Sequence, residues 1–300
     1  MIDASSESSA LAIFEQHRPL LKAVAYRLLG TMSDADDIVQ ESYLRWAAAV
    51  DRSAIDQPKA YLTRITTRLC LDHLKSARVR RENYVGQWLP EPIVQAADFT
   101  EKPVRDLAHD ISYALMLALE RLSPLERAAF LLHDVFGLTF GEISTTLKRP
   151  AATCRQLATR ARNHVRAARP RFTVTPDEGE RIVAQFMRAA ETGDTAGLSG
   201  ILAEDAVLHS DGGERASAAR RPILGRERIT RLFVGVAGKT APPDILHLTT
   251  INGQPGYIKG YAASGLTDAF AFDIKDGLIV AIYLVRNPDK LRHLHKSNGH

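Results

Sequence analysis

The residues best suited to chemistry are donors that fit nucleotides. From Lys148 to Arg171 the chain carries Lys148, Arg149, Arg155, Arg160, Arg162, Arg166, Arg169 and Arg171, with no Asp or Glu. Arg155 and Gln156 are adjacent, and their side chains suit bidentate contacts with guanine and adenine edges. Lys148, Thr153, Arg160 and Arg162 suit phosphates, which fix register and carry little sequence information. A second basic group comprises Arg64, Arg68, Lys75, Arg78, Arg80 and Arg81, relieved only by Asp72. A solvated basic helix face would look similar. A surface of opposite sign lies at Asp34, Asp36, Asp37 and Glu41, with Gln40 and Leu44. Acid repels phosphate, so this surface reads as a docking face for a basic protein partner. Capping and dipole compensation at a helix start is the alternative.

These residues need rigid carriers. Leu11, Phe14, Leu20, Leu21, Val24, Ala25 and Leu28 recur near helical spacing, and Gly30 follows as a stop. Ser33 with Asp36 resembles a capping box opening a helix with Ile38, Val39, Tyr43, Leu44 and Trp46. Pro58 precedes a third helix. Residues 83–106 contain Gly86, Pro90, Pro92 and Pro103 and read as a linker, with Trp88-Leu89-Pro90 as an exposed apolar element. Helices resume near Leu107. Ser123-Pro124-Leu125-Glu126 and Thr139-Phe140-Gly141-Glu142 are helix starts. A short helix near 139–147, a break at Lys148-Arg149-Pro150 and a basic helix to about Ala167 give the helix-turn-helix pattern.

After Thr175-Pro176-Asp177-Glu178 the character changes. Helices are predicted at about 177–191 and 226–237, followed by strand-like runs. Asn252-Gly253 and Asp276-Gly277 between apolar runs are hairpin signals. The expected organisation is two all-helical domains, 1–82 and 107–172, then an α+β domain at 176–294 and a tail at 295–300.

Composition sets limits on this. The chain has 300 residues, 45% hydrophobic and 25% charged, with a net charge of +4. No apolar run reaches the ~20 residues of a membrane span, and the first residues lack a secretory pattern. A cytoplasmic location and no membrane partner are expected. Cys70 and Cys154 are the only cysteines, and no metal-ligand spacing surrounds them. No metal or cofactor is expected.

Asp34-Ala-Asp-Asp-Ile-Val-Gln-Glu-Ser-Tyr-Leu-Arg-Trp46 resembles the polymerase-clamp helix of extracytoplasmic-function (group IV) sigma factors. The segment Lys59 to Lys75 resembles the part that opens and reads the −10 element. Leu122-Ser-Pro-Leu-Glu-Arg127 and Arg155-Gln-Leu-Ala-Thr-Arg-Ala-Arg162 resemble the domain that reads the −35 element. Tyr84-Val-Gly-Gln-Trp-Leu-Pro-Glu-Pro92, Asp211-Gly212-Gly213 and Asn287-Pro288-Asp289-Lys290-Leu291 resemble marks of the subgroup with a fused SnoaL-like cone. Gln87 stands where proline is common there, and Glu214 where a glycine or polar residue is usual. The resemblance implies binding of core RNA polymerase through Asp36, Asp37, Gln40, Glu41 and Leu44. It implies −10 recognition by residues of about Arg64 to Arg81, and −35 recognition by Arg155, Gln156, Thr159 and Arg160. It implies a fused regulatory domain in place of a separate anti-sigma factor.

Relatives of such cones use a carboxylate or histidine as general base. His209, Asp211, His247, Asp268 and Asp273 are the candidates here, with His247 expected to point inward. No pair among them has a spacing that demands catalysis, so no enzyme is expected. A small ligand in the cone stays open. His293, His295 and His300 read as tail residues. Two rivals remain. A DNA-binding regulator with a sensing cone would bind DNA without polymerase. A cyclase or isomerase would turn over substrate after removal of residues 1–170.

Overall fold

The computed structural model describes residues 4–49, 55–82, 84–95, 111–168, 174–239, 242–261, 265–292 and 294; for 4–9, 76–82, 95, 167–168 and 266 this means the backbone alone. The chain divides into two units: Met1–Glu82 with Ala114–Arg169, and Asn83–Tyr113 with Pro170–His300. Arg169, Arg171, the region around Pro103 and Leu107, and the histidines 293, 295 and 300 lie outside the described residues.

The described part of the first unit is helical. α1 (Ala4–Leu29) stops at Gly30, whose φ of +79° is left-handed. α2 (Met32–Ala47) and α3 (Pro58–Glu82) pack against α1 around Phe14, Leu21, Val39, Trp46 and Leu62. Two polar contacts fix the register. The Trp46 indole N–H donates to the Ala10 carbonyl at 2.9 Å, and the buried hydroxyls of Ser42 and Thr66 meet at 2.9 Å. The start of α2 differs from the sequence expectation. Thr31 is the N-cap residue, and its hydroxyl donates to Asp34 at 2.5 Å. The Ser33–Asp36 box does not form, because Asp36 turns to Lys22 at 2.7 Å.

α4 spans Tyr113–Glu120; the helix start expected near Leu107 lies outside the described residues. α5 (Pro124–Phe130) and α6 (Phe140–Leu147) begin with the expected capping boxes on Ser123/Glu126 and Thr139/Glu142. These bonds hold both carboxyls below the usual range, chiefly through the hydroxyls of Ser123 and Thr139. A π-helical turn, Leu131–Val135, continues α5. Lys148 closes α6 in the left-handed region, at φ +52°, and α7 (Ala151–Ala168) follows. The helix-turn-helix break is thus one left-handed residue followed by a proline one residue before α7.

The second unit holds α8 (Pro176–Thr192), capped by Thr175, then α9 (Thr195–Ile201) and α10 (Arg226–Val236). Its strands are β1 (Val94–Gln95), β2 (Leu202–Asp211), β3 (Ile223–Leu224), β4 (Ile245–Ile251), β5 (Gln254–Tyr261), β6 (Leu266–Lys275) and β7 (Leu278–Val285). Among the described residues they form one sheet in the order β1-β4-β5-β6-β7-β2-β3, antiparallel except for the β2–β7 pair. Asn252-Gly253 and Asp276-Gly277 make the hairpin turns with φ of 53°, 74°, 50° and 77°. α8, α9 and α10 pack against one sheet face. Phe186, Phe233, Tyr257, Phe270 and Phe272 fill that side with ring centroids 4.5 to 6.5 Å apart.

The linker expectation needs correction. Residues 84–95 lie on the sheet domain, and β1 pairs with β4 through Val94↔Ile251 and Gln95↔Thr250. Leu89 is fully buried, and Pro90, Glu91 and Pro92 are buried too. This apolar element therefore shares the sheet domain's core instead of facing solvent. α11 (Pro288–Leu291), capped by Asn287, helps to cover it.

Candidate functional sites

Helical periodicity builds the acidic face. Ala35, Ile38, Val39, Ser42 and Trp46 are the buried side of α2, so Asp36, Asp37, Gln40, Glu41 and Leu44 fall on the other. Leu44 is 55% exposed although it is apolar. Asp36 pairs with Lys22, and Glu41 with Arg45 at 2.9 Å. Asp37 is exposed with no ion pair among the described residues. The arrangement offers an anionic rim beside a bare leucine, the composition of a protein-docking patch.

The basic face of α7 forms in the same way. Cys154, Leu157, Ala158, Ala161 and Val165 are buried, which turns Arg155, Gln156, Thr159 and Arg160 outward around a shared surface hollow. The Arg155 guanidinium sits 5.8 Å from the centre of the Phe140 ring. Arg160 reaches Glu126 at 3.3 Å and stays 63% exposed. Lys148 is exposed at the turn and Thr153 is half-buried. Arg162 is placed differently from the sequence reading. Its guanidinium donates twice to Asp134, at 2.8 and 3.0 Å, and anchors α7 to the π-helical turn. Asp134 thus balances its charge, although the side chain keeps 28% exposure.

On α3, Arg64 lies over the Tyr61 ring at 5.1 Å, and Lys75 pairs with Asp72 at 2.7 Å. Arg68 donates to the backbone carbonyls of Thr145 and Thr146, at 2.7 and 3.0 Å, near the C-terminal end of α6. The side chains of Arg78, Arg80 and Arg81 lie outside the described residues. Elsewhere in this unit, buried Arg127 donates to the Leu28 carbonyl at 2.7 Å and to Glu120 at 2.9 Å. Arginine-to-carbonyl contacts thus join α3 to α6 through Arg68 and α1 to α5 through Arg127.

The three motifs of the second unit converge on Asp211, which is fully buried. Its carboxylate accepts from the Tyr84 hydroxyl at 2.6 Å, the Leu89 N–H at 2.8 Å, the Gly213 N–H at 3.0 Å and the Lys290 ammonium at 2.6 Å. Its backbone carbonyl accepts from the N–H groups of Arg286 and Asn287. Lys290 also donates to the Leu89 carbonyl and faces the rings of Trp88 at 4.3 Å and Tyr84 at 5.2 Å. Asn287 donates to the Tyr84 hydroxyl at 2.7 Å. A side chain at Gly213 would strike Asn287, with a Cβ only 2.6 Å from Nδ2. Gly212 is tighter still, 2.0 Å from the Ala216 carbonyl. Both glycines are demanded by closeness of approach. Pro288 opens α11, Leu291 is fully buried, and Asp289 meets Arg215 at 3.4 Å. We call this arrangement the clasp.

Burial, then the Asp211 charge, pushes the Tyr84 phenol well above its ordinary range. Tyr84 therefore stays protonated and keeps donating. The clasp thus holds the linker against the sheet domain.

Sequence reasoning missed a second hold on the linker. The Asn252 side chain accepts from the Ile93 N–H at 2.8 Å and donates to the Ile111 carbonyl at 2.9 Å. Gln254 accepts from the Tyr113 N–H at 2.9 Å and donates to Asp273 at 2.5 Å. Tyr283 donates to Asp273 at 2.7 Å and stacks between Tyr113 and His209, at 4.9 and 5.4 Å. Asn252 was legible only as a turn residue, and Gln254 gave no signal. The proposed base candidates are all engaged or displaced. Asp268 pairs with Arg286 at 2.9 Å, His209 bonds Gln87 at 3.0 Å, and His247 is exposed rather than inward.

The Sigma-70 region 2 family model matches residues 13–80, and the Sigma-70 region 4 model matches residues 112–165. The chain is 37% identical to the ECF RNA polymerase sigma factor SigJ of Mycobacterium tuberculosis, over 92% of this chain and 91% of that protein. It is 30% identical to the probable ECF RNA polymerase sigma factor SigI of the same species, over 98% of this chain and 99% of that one. The crystal structure of the M. tuberculosis SigJ extracytoplasmic function sigma factor superposes with a TM-score of 0.74 at 35% identity. It covers 94% of this chain and 98% of that one. Among the described residues no helix is long and apolar enough to cross a membrane.

Proposed function

Because this chain belongs to the extracytoplasmic-function sigma factors and so directs promoter-specific transcription initiation, we propose a division of labour among its parts. The α2 face of Asp36, Asp37, Gln40, Glu41 and Leu44 docks on core RNA polymerase. Basic residues of α3, from Arg64 to Arg81, engage the −10 element. They hold the melted strand electrostatically while captured bases offset an unstacking cost of a few kcal/mol. Arg155, Gln156, Thr159 and Arg160 on α7 read the −35 element from the major groove, and Lys148 and Thr153 contact phosphates. The factor adds binding energy and leaves bond chemistry to the polymerase, so it acts in the cytoplasm and is not an enzyme.

The sheet domain regulates by holding the linker, in place of a separate anti-sigma protein. The observation that carries this is the buried Asp211 carboxylate, half of whose donors, the Tyr84 hydroxyl and the Leu89 N–H, come from the linker. A free segment the length of Asn83–Tyr113 could extend to about 100 Å, and clasping its ends removes most of that freedom. The clasp therefore sets how far apart the −10 and −35 readers can move. Arg68 adds a second restraint, since its guanidinium must leave the Thr145 and Thr146 carbonyls before it can meet DNA.

The test is run-off transcription with core polymerase, using the full chain, a truncation after Leu291 and a truncation after Phe172, alongside co-purification with the core enzyme. Removing the sheet domain should change promoter-dependent transcription and leave core binding intact. Unchanged transcription in both truncations would reject the regulatory role. Failure to co-purify would reject the docking face.

A further inference from the structure

Among the described residues, Arg220 is a cation without a partner. It is exposed, and it makes no ion pair or hydrogen bond among the described residues. It borders a cavity of about 340 Å³ between the linker and the loop that follows Asp211. Val85, Gly86 and Gln87 form the linker wall, and Ser210 with the loop from Gly212 to Arg220 forms the rest. This volume lies within the range of small-molecule sites.

The cavity is held open by bonds that need no ligand. The Ala219 N–H donates to the Ser210 hydroxyl at 2.9 Å, and the Ala216 N–H to the Gly212 carbonyl at 3.0 Å. Arg286 donates to the Ser217 carbonyl at 2.8 Å from behind while its Nε is paired with Asp268. The lining residues are largely Gly, Ala and Ser, so the walls offer backbone polar groups and little apolar area. A hydrocarbon ligand would gain little there. Arg215 and Arg220 outweigh Glu214 in charge, and Arg215 meets Asp289 only at 3.4 Å. The aromatic packing around Phe186 and Phe272 leaves the other side of the sheet filled.

We propose that this cavity binds a small polar anion, a carboxylate- or phosphate-bearing metabolite, with Arg220 as its principal ionic contact. Because Gly86 and Gln87 are part of the wall, an occupant that touches them binds the clasped linker better than the released one. It must then shift the equilibrium toward the clasped state. This regulatory consequence rests on the clasp reading given above; the binding does not.

The experiment is calorimetric titration of the full-length chain with inorganic phosphate and, separately, with citrate. Saturable binding of at least one anion with a Kd below about 1 mM is expected, and whichever binds identifies the phosphate or the carboxylate chemistry. Arg220→Glu should weaken it by about tenfold or more. Arg231→Glu, the same charge change at an exposed position of α10, should leave it unaltered. Absence of saturable binding for both anions, or equal losses in both variants, overturns the site. The linker is read separately by amide hydrogen exchange. Slower exchange at Val85–Gln87 on saturation with the bound anion supports the coupling, and unchanged exchange rejects it while the calorimetry still decides the site. A negative truncation result in transcription would remove the clasp's role without touching the calorimetric outcome.

Discussion

Lys290 and Trp88 stand face to face, the ammonium 4.3 Å from the ring centre, while the same ammonium bonds Asp211 at 2.6 Å and the Leu89 carbonyl. One buried cation thus joins the linker, the glycine turn and α11. Lys290→Met should leave the Asp211 charge without its counter-ion. A loss of about 3–5 kcal/mol is expected for breaking a buried pair in this way. Chemical denaturation followed by Trp88 fluorescence measures it, and limited proteolysis at residues 84–95 reports linker release. Near wild-type stability would mean that the pair is not a structural anchor.

Asp37 carries no ion pair among the described residues, so its replacement should cost the fold little. Asp37→Lys is expected to abolish co-purification with core polymerase while leaving the thermal midpoint within a degree or two. Retained polymerase binding would move the docking surface elsewhere on the chain.

Arg155 and Arg162 are two arginines of one helix with different employment. Arg155→Ala should preserve stability and reduce discrimination at one promoter base pair by about 1–3 kcal/mol, measured by competition binding of holoenzyme to −35 variants. Arg162→Ala should instead lower stability, since it strands Asp134, and should weaken DNA binding only in proportion. Equal behaviour of the two variants would contradict their assignment.

Tyr84 sets a pH dependence on the linker. Burial and Asp211 raise its phenol above the ordinary value of 10.0. A group raised on folding contributes stability that is present below its unfolded value and lost as pH rises toward the folded one. Clasping should therefore weaken as pH rises above about 10. Tyr257, Tyr261 and Tyr283 are raised as well, so the readout is the difference between wild type and Tyr84→Phe. A difference that does not change across that window would refute the role given to the hydroxyl.

Ser123 and Thr139 open α5 and α6 with reciprocal bonds to Glu126 and Glu142. Ser123→Ala and Thr139→Ala should each cost about 0.5–2 kcal/mol. Their effect should fade as pH falls below the usual carboxylate range, because both carboxyls are held down by these bonds. Thermal melts at two pH values give the comparison.

The sequence by itself determined what local physics controls. Capping residues fixed where α5, α6 and α8 begin, Asn252-Gly253 and Asp276-Gly277 fixed two hairpins, and helical spacing separated the exposed faces of α2 and α7 from their buried sides. These outcomes follow from contacts between near neighbours in the chain. The employment of individual polar groups was decided only in three dimensions. Arg162 was claimed by Asp134 and Arg68 by the carbonyls of Thr145 and Thr146, and the stretch around Leu89 became buried core. Charge and hydropathy say that a side chain needs a partner, but not which one. Asp211 shows why: its donors come from Tyr84, Leu89, Gly213 and Lys290, more than 200 positions apart at the extremes, and nothing in the sequence announces that folding will bring them to one carboxylate.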